Sequence, residues 1–400
     1  MDETSNKSRW AIPSDPLVRA RLALILIVIV ATAGKLVIAA TTFGQNDVNG
    51  WLHFAAGVAR AGPVGIYKLE FPGKLYNHPP LVGYLLEVVD FAVRRGMSFP
   101  FTVRLPAILA DAVTPFLILE LLRKRRALMV SFAAAASIAL SPVLFVISAF
   151  HGNNDPIFVM FSLLSVYLLL DRQAPVLAGL AIAVALGVKI VPVVVVPALL
   201  IVAVRAGWRP LLRFAIASGA LLALTWGPVM VQAWQPFRAH VLGYTGSASF
   251  RVWGLVQIGI WAGSPSWMTW LEGSGRFLVV VLAAGIPAAI VWRRPSRAME
   301  ACGLALVILL LFSPAFGTQY LVWALAPCYL LTFWGATAFN IAAGALLIEV
   351  YTRWSGHFPW YFAKASLLTQ GERVAAIAVW GILLAVAVLG IRLCLRPAPS

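Results

Sequence analysis

Residues 19–51 read RARLALILIVIVATAGKLVIAATTFGQNDVNGW. One crossing of a bilayer needs roughly 20 apolar residues, and this run supplies them between Arg19/Arg21 and the polar stretch Gln45-Asn46-Asp47. It is too long for the core of a signal peptide and has no convincing small-residue cleavage site. Residues 19–40 are therefore expected to stay in place as a span. A carboxylate at the mouth of a span is costly unless it has water, a partner or a task. Asp47 is thus either the cap of a surface helix or a working group.

The rest of the chain repeats the pattern. Of its 400 residues, 61% are hydrophobic and only 12% charged, and the mean hydropathy is +0.88. A soluble domain carries about a quarter charged residues, so the composition implies an all-α polytopic membrane protein, a single transmembrane unit over residues 1–400 with no appreciable soluble domain. The net charge of +16 does not point to nucleic acid. Its Lys and Arg collect in short stretches between apolar runs, where the positive-inside rule and anionic lipids account for them. Placing Arg123-Lys124-Arg125-Arg126, Arg172, Arg205/Arg209/Arg213, Arg293-Arg294 and Arg392/Arg396 on the inner side gives one threading. Its spans are about 19–40, 101–122, 127–149, 157–170, 176–190, 192–204, 211–232, 276–292, 298–314, 320–335, 337–352 and 374–391. That makes about twelve, with both termini inside. Cys302, Cys328 and Cys394 show no metal or disulfide spacing.

The same threading puts His53, His78, His151, His240 and His357 all outside. The outer loops, about 41–100, 233–275 and 353–373, are long, so chemistry is expected on the extracytoplasmic side. The first of them carries two amphipathic helices suited to the membrane interface. Asp47 to Arg60 has Val48, Trp51, Leu52, Ala55 and Val58 at helical spacing, with Asn46 or Asp47 as its N-cap. Pro79-Pro80 opens the second helix, which closes at Arg94-Arg95 before Gly96.

Polar clusters mark the outer ends of the spans. They are Gln45-Asn46-Asp47, the run Tyr76-Asn77-His78-Pro79-Pro80, and the tip His151-Gly152-Asn153-Asn154-Asp155. Lys189 stands at the next tip, Arg238, His240 and Arg251 lie in the long loop, and Gln319-Tyr320 end the run from Ser313. Clusters at one membrane depth suit a reaction between a water-facing acceptor and a substrate whose leaving group stays in lipid. A carboxylate deprotonates an acceptor hydroxyl, and fixed cations stabilise charge growing on a phosphate leaving group. Asp111, inside the second span, is expected to pair with a base such as Arg104 or to line a cavity.

These residues resemble the GT-C superfamily of polyprenyl-phosphate-sugar-dependent glycosyltransferases. The closest likeness is to the glycosyltransferase family 87 mannosyltransferases and the dolichyl-phosphoglucose-dependent glucosyltransferases. The resemblance covers about residues 20–330. It rests on Asp47 opening the first outer loop, Tyr76 to Leu81, Arg104 to Asp111, the tip His151 to Asp155, Lys189, and Ser313 to Leu321. It implies an inverting transfer of a hexose, mannose favoured, from a polyprenyl-phosphate donor to a lipid or glycan hydroxyl, with Asp47 as general base. It further implies substrate contacts from Tyr76, His78, His151, Asn154, Asp155, Lys189, Arg238, Arg251, Gln319 and Tyr320. Two departures bear on the chemistry. No Asp-x-Asp follows in the first loop, which points to a reaction without a metal or other cofactor. No soluble C-terminal domain is expected, which points away from a large protein acceptor.

Each residue also has a plainer role. Asp155 precedes Pro156 and can start a helix, His151 can satisfy a hairpin, and Lys189 can snorkel to water. A secondary transporter or a lipid-linked-sugar flippase without catalysis is the alternative function. The Ala- and Arg-rich usage suggests a bacterial plasma membrane; the expected partners are the donor lipid, the acceptor and membrane lipids, and the protein is expected to be a monomer.

Overall fold

The structure is a computed structural model and describes residues 15–244 and 252–396. Within them the chain is helical, apart from two-residue strands Gly44–Gln45 and Phe362–Ala363, which pair in parallel. Eight described helices are long and apolar enough to cross a bilayer: Pro16–Thr41, Phe99–Arg123, Leu128–His151, Trp208–Gln232, Pro265–Arg293, Pro295–Phe312, Phe333–Ser355 and Gln370–Leu395. The chain is a multi-pass membrane protein.

The four other expected segments are also helical but shorter. Asp155–Leu170, Pro175–Val188, Val196–Ala206 and Leu321–Leu331 have 16, 14, 11 and 11 residues. At about 1.5 Å per residue, even the first reaches only about 24 Å, short of a hydrocarbon core about 30 Å thick. Pro156, Pro175 and Pro197 open three of them, where a missing N–H breaks no bond.

Of these short helices, Leu321–Leu331 lies at the centre of the bundle. Every residue of Leu321–Leu331 is buried, whereas the 25-residue helix Trp208–Gln232 buries only Phe214, Ala217 and Val229. An apolar helix with so little protein around it suits a lipid environment.

Two charged side chains inside the bundle pair with each other. Lys35 Nζ lies 2.7 Å from Asp111 Oδ2, and both are 2% exposed. Arg104, expected as the partner of Asp111, bonds instead to the carbonyls of Ala39, Thr42 and Phe43 at the end of the first helix. Arg104 and Asp111 are seven residues apart, about 10 Å along one helix, which is too far for a direct pair. At the other end of that helix the basic clusters meet three acids. Glu120 holds Arg21 and Arg123, Asp171 holds Arg125, and Glu300 holds Arg297.

Both helices expected in the first loop are present, as Asn46–Gly65 and Pro80–Val93. The cap of the first differs from expectation. Gln45 Oε1 accepts from the Asp47 backbone N at 2.8 Å, while Asn46 Oδ1 accepts from Ala365 N at 3.0 Å. The longer Gln45 side chain, arriving from extended backbone, folds back over the helix start. Asp47 is thereby left free of the capping task.

Candidate functional site

Two glycines let distant parts of the chain close on each other. Gly44 and Gly152 have φ of +106° and +82°, a region that side chains disfavour. A Cβ on Gly44 would collide with the Arg104 guanidinium and the Phe150 carbonyl, and one on Gly152 with Val48. Their absence allows Trp51 Nε1 to donate to the Gly152 carbonyl at 3.0 Å. The start of the Asn46 helix is thus fastened to the tip that follows Phe145–His151, a widened helical turn.

That closure sets Asp47 Oδ2 2.8 Å from His151 Nε2. His151 is buried and its Nδ1 is hydrogen-bonded to the Tyr351 hydroxyl. Tyr351 in turn lies 3.0 Å from Thr318 Oγ1. The Asp47 side chain is 41% accessible and faces a cavity of about 650 Å³. Burial alone would raise its pKa. The charge His151 carries when protonated, its hydrogen bond, the charge of His78 and a hydrogen bond from Asn153 outweigh this and hold it below the ordinary carboxylate value. His78 helps only when protonated. Burial and the Lys189 charge push its pKa down to about 3, so near neutrality the hydrogen bonds of His151 and Asn153 do the work. The His78 ring packs on Trp51 with centroids 4.5 Å apart.

Lys189 closes another wall. It ends the helix Pro175–Val188, and its Nζ is 2.5 Å from Asp155 Oδ1. Asp155 is fully buried, and its other oxygen accepts from Trp323 Nε1 at 2.6 Å. Lys189 also stands about 5 Å from the Tyr320 and Trp323 rings, at 5.0 and 5.2 Å, which stack 4.0 Å apart. The ammonium is therefore tethered from behind, rests on an aromatic shelf and opens onto the cavity.

Of the residues singled out by the sequence, Asp47, His78, His151, Lys189, Gln319 and Tyr320 line this cavity. Tyr76, Asn154 and Asp155 do not line it. Tyr76 is buried among Tyr67, Phe54 and His78, Asn154 is buried in the tip, and Asp155 serves Lys189. Arg238 is exposed at the start of the turn Arg238–Leu242, whose other end, Val241 and Leu242, reaches the cavity. Arg251 lies outside the described residues.

Lys74, Asn153 and Arg276 also line the cavity, and sequence reasoning missed them as site residues. Arg276 carried a usable signal. It is a cation at the outer start of the expected span 276–292, where a basic residue runs against the positive-inside rule. Tyr351 carried none beyond its place near a span end. Among the described residues, Asp47 is the one acid that lines the cavity, and no group of three His, Cys, Asp or Glu is placed to hold a metal.

The wall beyond Lys189 and Arg276 is apolar. It includes Val193, Phe277 and Val280, which are exposed on the bundle surface. The cavity thus joins a carboxylate, several cations and a greasy flank. The family model for Glycosyltransferase family 87 matches residues 78–314. The matched stretch is more than half of the chain and contains His78, His151 and Lys189, while Asp47 and Tyr351 lie outside it. No curated protein sequence matches the chain.

Proposed function

The chain belongs to glycosyltransferase family 87, and on that premise we propose that it moves a hexose, mannose in the first place, from a polyprenyl-phosphate donor to a lipid or glycan hydroxyl. The acceptor oxygen attacks the anomeric carbon from the face opposite the phosphate. The new glycosidic bond forms as the carbon–oxygen bond to phosphate breaks, and the electron pair leaves on the phosphate. The acceptor proton goes to Asp47, and the configuration inverts.

The observation that carries this reading is the position of Asp47, a carboxylate open to the cavity and kept ionised by His151. A general base needs both access and a proton-free oxygen. The departing phosphate gains one negative charge, and Lys189 and Arg276 on the cavity wall suit that charge. The prenyl chain fits the apolar flank at Val193, Phe277 and Val280. Asp155 acts through Lys189 rather than on the sugar.

The reading places the cavity on the extracytoplasmic side of a bacterial plasma membrane. Counting the four short helices as crossings lined by protein gives twelve passes; loops 41–100, 233–275 and 353–373 then face outward and the basic end faces the cytoplasm. The helix Pro80–Val93 then lies in the interface. In support, it buries Val82, Leu86 and Val89 while exposing Val88 and Phe91.

The test is sugar transfer in reconstituted vesicles, with radiolabelled polyprenyl-phosphate mannose as donor and bacterial membrane lipids as acceptor. Asp47→Asn should lower the rate by about 100-fold or more. Transfer at the wild-type rate by a folded Asp47→Asn protein would sink the assignment.

A further inference from the structure

Tyr351 does not line the cavity and is fully buried, yet its hydroxyl bonds the ring that faces the base. The direction of the hydrogen bonds follows from counting protons. An ionised Asp47 can only accept, so the proton between it and His151 sits on Nε2. A neutral imidazole then has a bare Nδ1, and the Tyr351 hydroxyl beside it must donate. The Tyr351 oxygen in turn accepts from Thr318 Oγ1 at 3.0 Å. Thr318, Tyr351 and His151 therefore donate in series toward Asp47, and each link polarises the next.

The chain is also rigid. The Tyr351 ring packs against Phe150, Trp354 and Trp360, with centroids 5.9, 5.2 and 6.1 Å away. Asn153 also hydrogen-bonds Asp47, and the other titratable groups coupled to it are His78, Lys74, Tyr244 and Tyr320. Lys74, His78, Tyr244 and Tyr320 all line the cavity, whereas Tyr351 acts from behind, through the imidazole.

We infer that Tyr351 is a positioning residue: it locks His151 in the Nε2–H tautomer, and so keeps Asp47 as the anion that accepts the acceptor's proton. The second half rests on the reading of Asp47 as base. Without the hydroxyl, the ring can carry its proton on Nδ1 and present a bare Nε2 to Asp47. That arrangement favours a protonated Asp47, which cannot act.

Tyr351→Phe keeps the packed ring and removes only the hydroxyl. In the full-length protein labelled with 15N-histidine, the His151 signals are identified by their loss in His151→Gln. The wild type should show Nε2–H at neutral pH, and Tyr351→Phe should show the Nδ1–H form. An unchanged tautomer overturns the inference, whatever the activity. The second readout is the pH profile of sugar transfer, assayed as above. Activity fails on the acid side when Asp47 is protonated, so Tyr351→Phe should move that limb up by about one pH unit. The rate on the limb falls about tenfold, KM stays unchanged, and the rate recovers at higher pH. Thr318→Val should move the limb the same way by less. A loss equal at every pH marks a merely structural role and overturns the inference. An active Asp47→Asn protein overturns the base reading itself, and the tautomer result distinguishes the two failures.

Discussion

Lys189 Nζ and Asp155 Oδ1 are 2.5 Å apart, with Asp155 wholly inside the bundle and Lys189 opening onto the cavity. The carboxylate is committed to its lysine and to Trp323. Both of its oxygens are thus occupied, and it anchors the ammonium from inside the bundle.

Removing the cation leaves that carboxylate buried without a counter-charge. Lys189→Met should destabilise the protein by about 3 kcal/mol, the low end for a broken buried pair because Lys189 is 21% accessible. Lys189→Arg should keep most of the stability. Thermal unfolding in detergent, followed by tryptophan fluorescence, measures both. The donor KM should rise about tenfold in Lys189→Met, a change of about 1.4 kcal/mol in binding.

The glycine at the tip is a test of placement. Gly152→Ala puts a side chain where φ is +82° and Val48 already sits. Left-handed backbone alone costs about 1–2 kcal/mol for such a residue. The tip must shift away from Trp51, and the contact between His151 and Asp47 should loosen. The expected signature is a fall in kcat with little change in donor KM, compared in the same vesicle assay.

Two depressed pKa values give the fold an acid sensitivity of definite sign. His78 titrates at about 6.5 when unfolded and at about 3 when folded. Its unfolded form binds the extra proton, so its contribution is complete above about pH 6.5 and fades as pH falls toward about 3. Asp47, also lowered, adds a loss in the same direction at lower pH. His78→Gln should flatten the decline of melting temperature between about pH 6.5 and 4. An equally steep decline in the variant would refute the assignment.

The ion pair inside the bundle tests its own energetics. Lys35→Met should cost about 3–5 kcal/mol, because it strands Asp111 at 2% exposure. The double change Lys35→Met with Asp111→Leu should regain most of that, since an apolar pair needs no compensation. Unfolding temperatures of the two variants decide the point, and equal losses in both would count against it.

Much of this was legible in the sequence because lipid imposes one-dimensional rules. A span must be apolar over its whole length, so residues 19–40 and 374–391 could be read directly. Pro79-Pro80 and Arg94-Arg95 bounded a helix by local chemistry alone, and Asp47 was exposed as unusual by its setting. The short helices were harder. Protein surrounds Leu321–Leu331 on all sides, so its apolar character says nothing about lipid or length.

What only the tertiary structure decided was partnership. Asp47 and His151 are 104 residues apart, and His151 and Tyr351 are 200. No periodicity links such positions, because hydrogen bonds are made in space and not along the chain. The choice of Lys35 over Arg104 for Asp111 and of Gln45 as the helix cap turned on reach and rotamer. The sequence named the carboxylate, and the closure at Gly44 and Gly152 gave it the imidazole that keeps it charged.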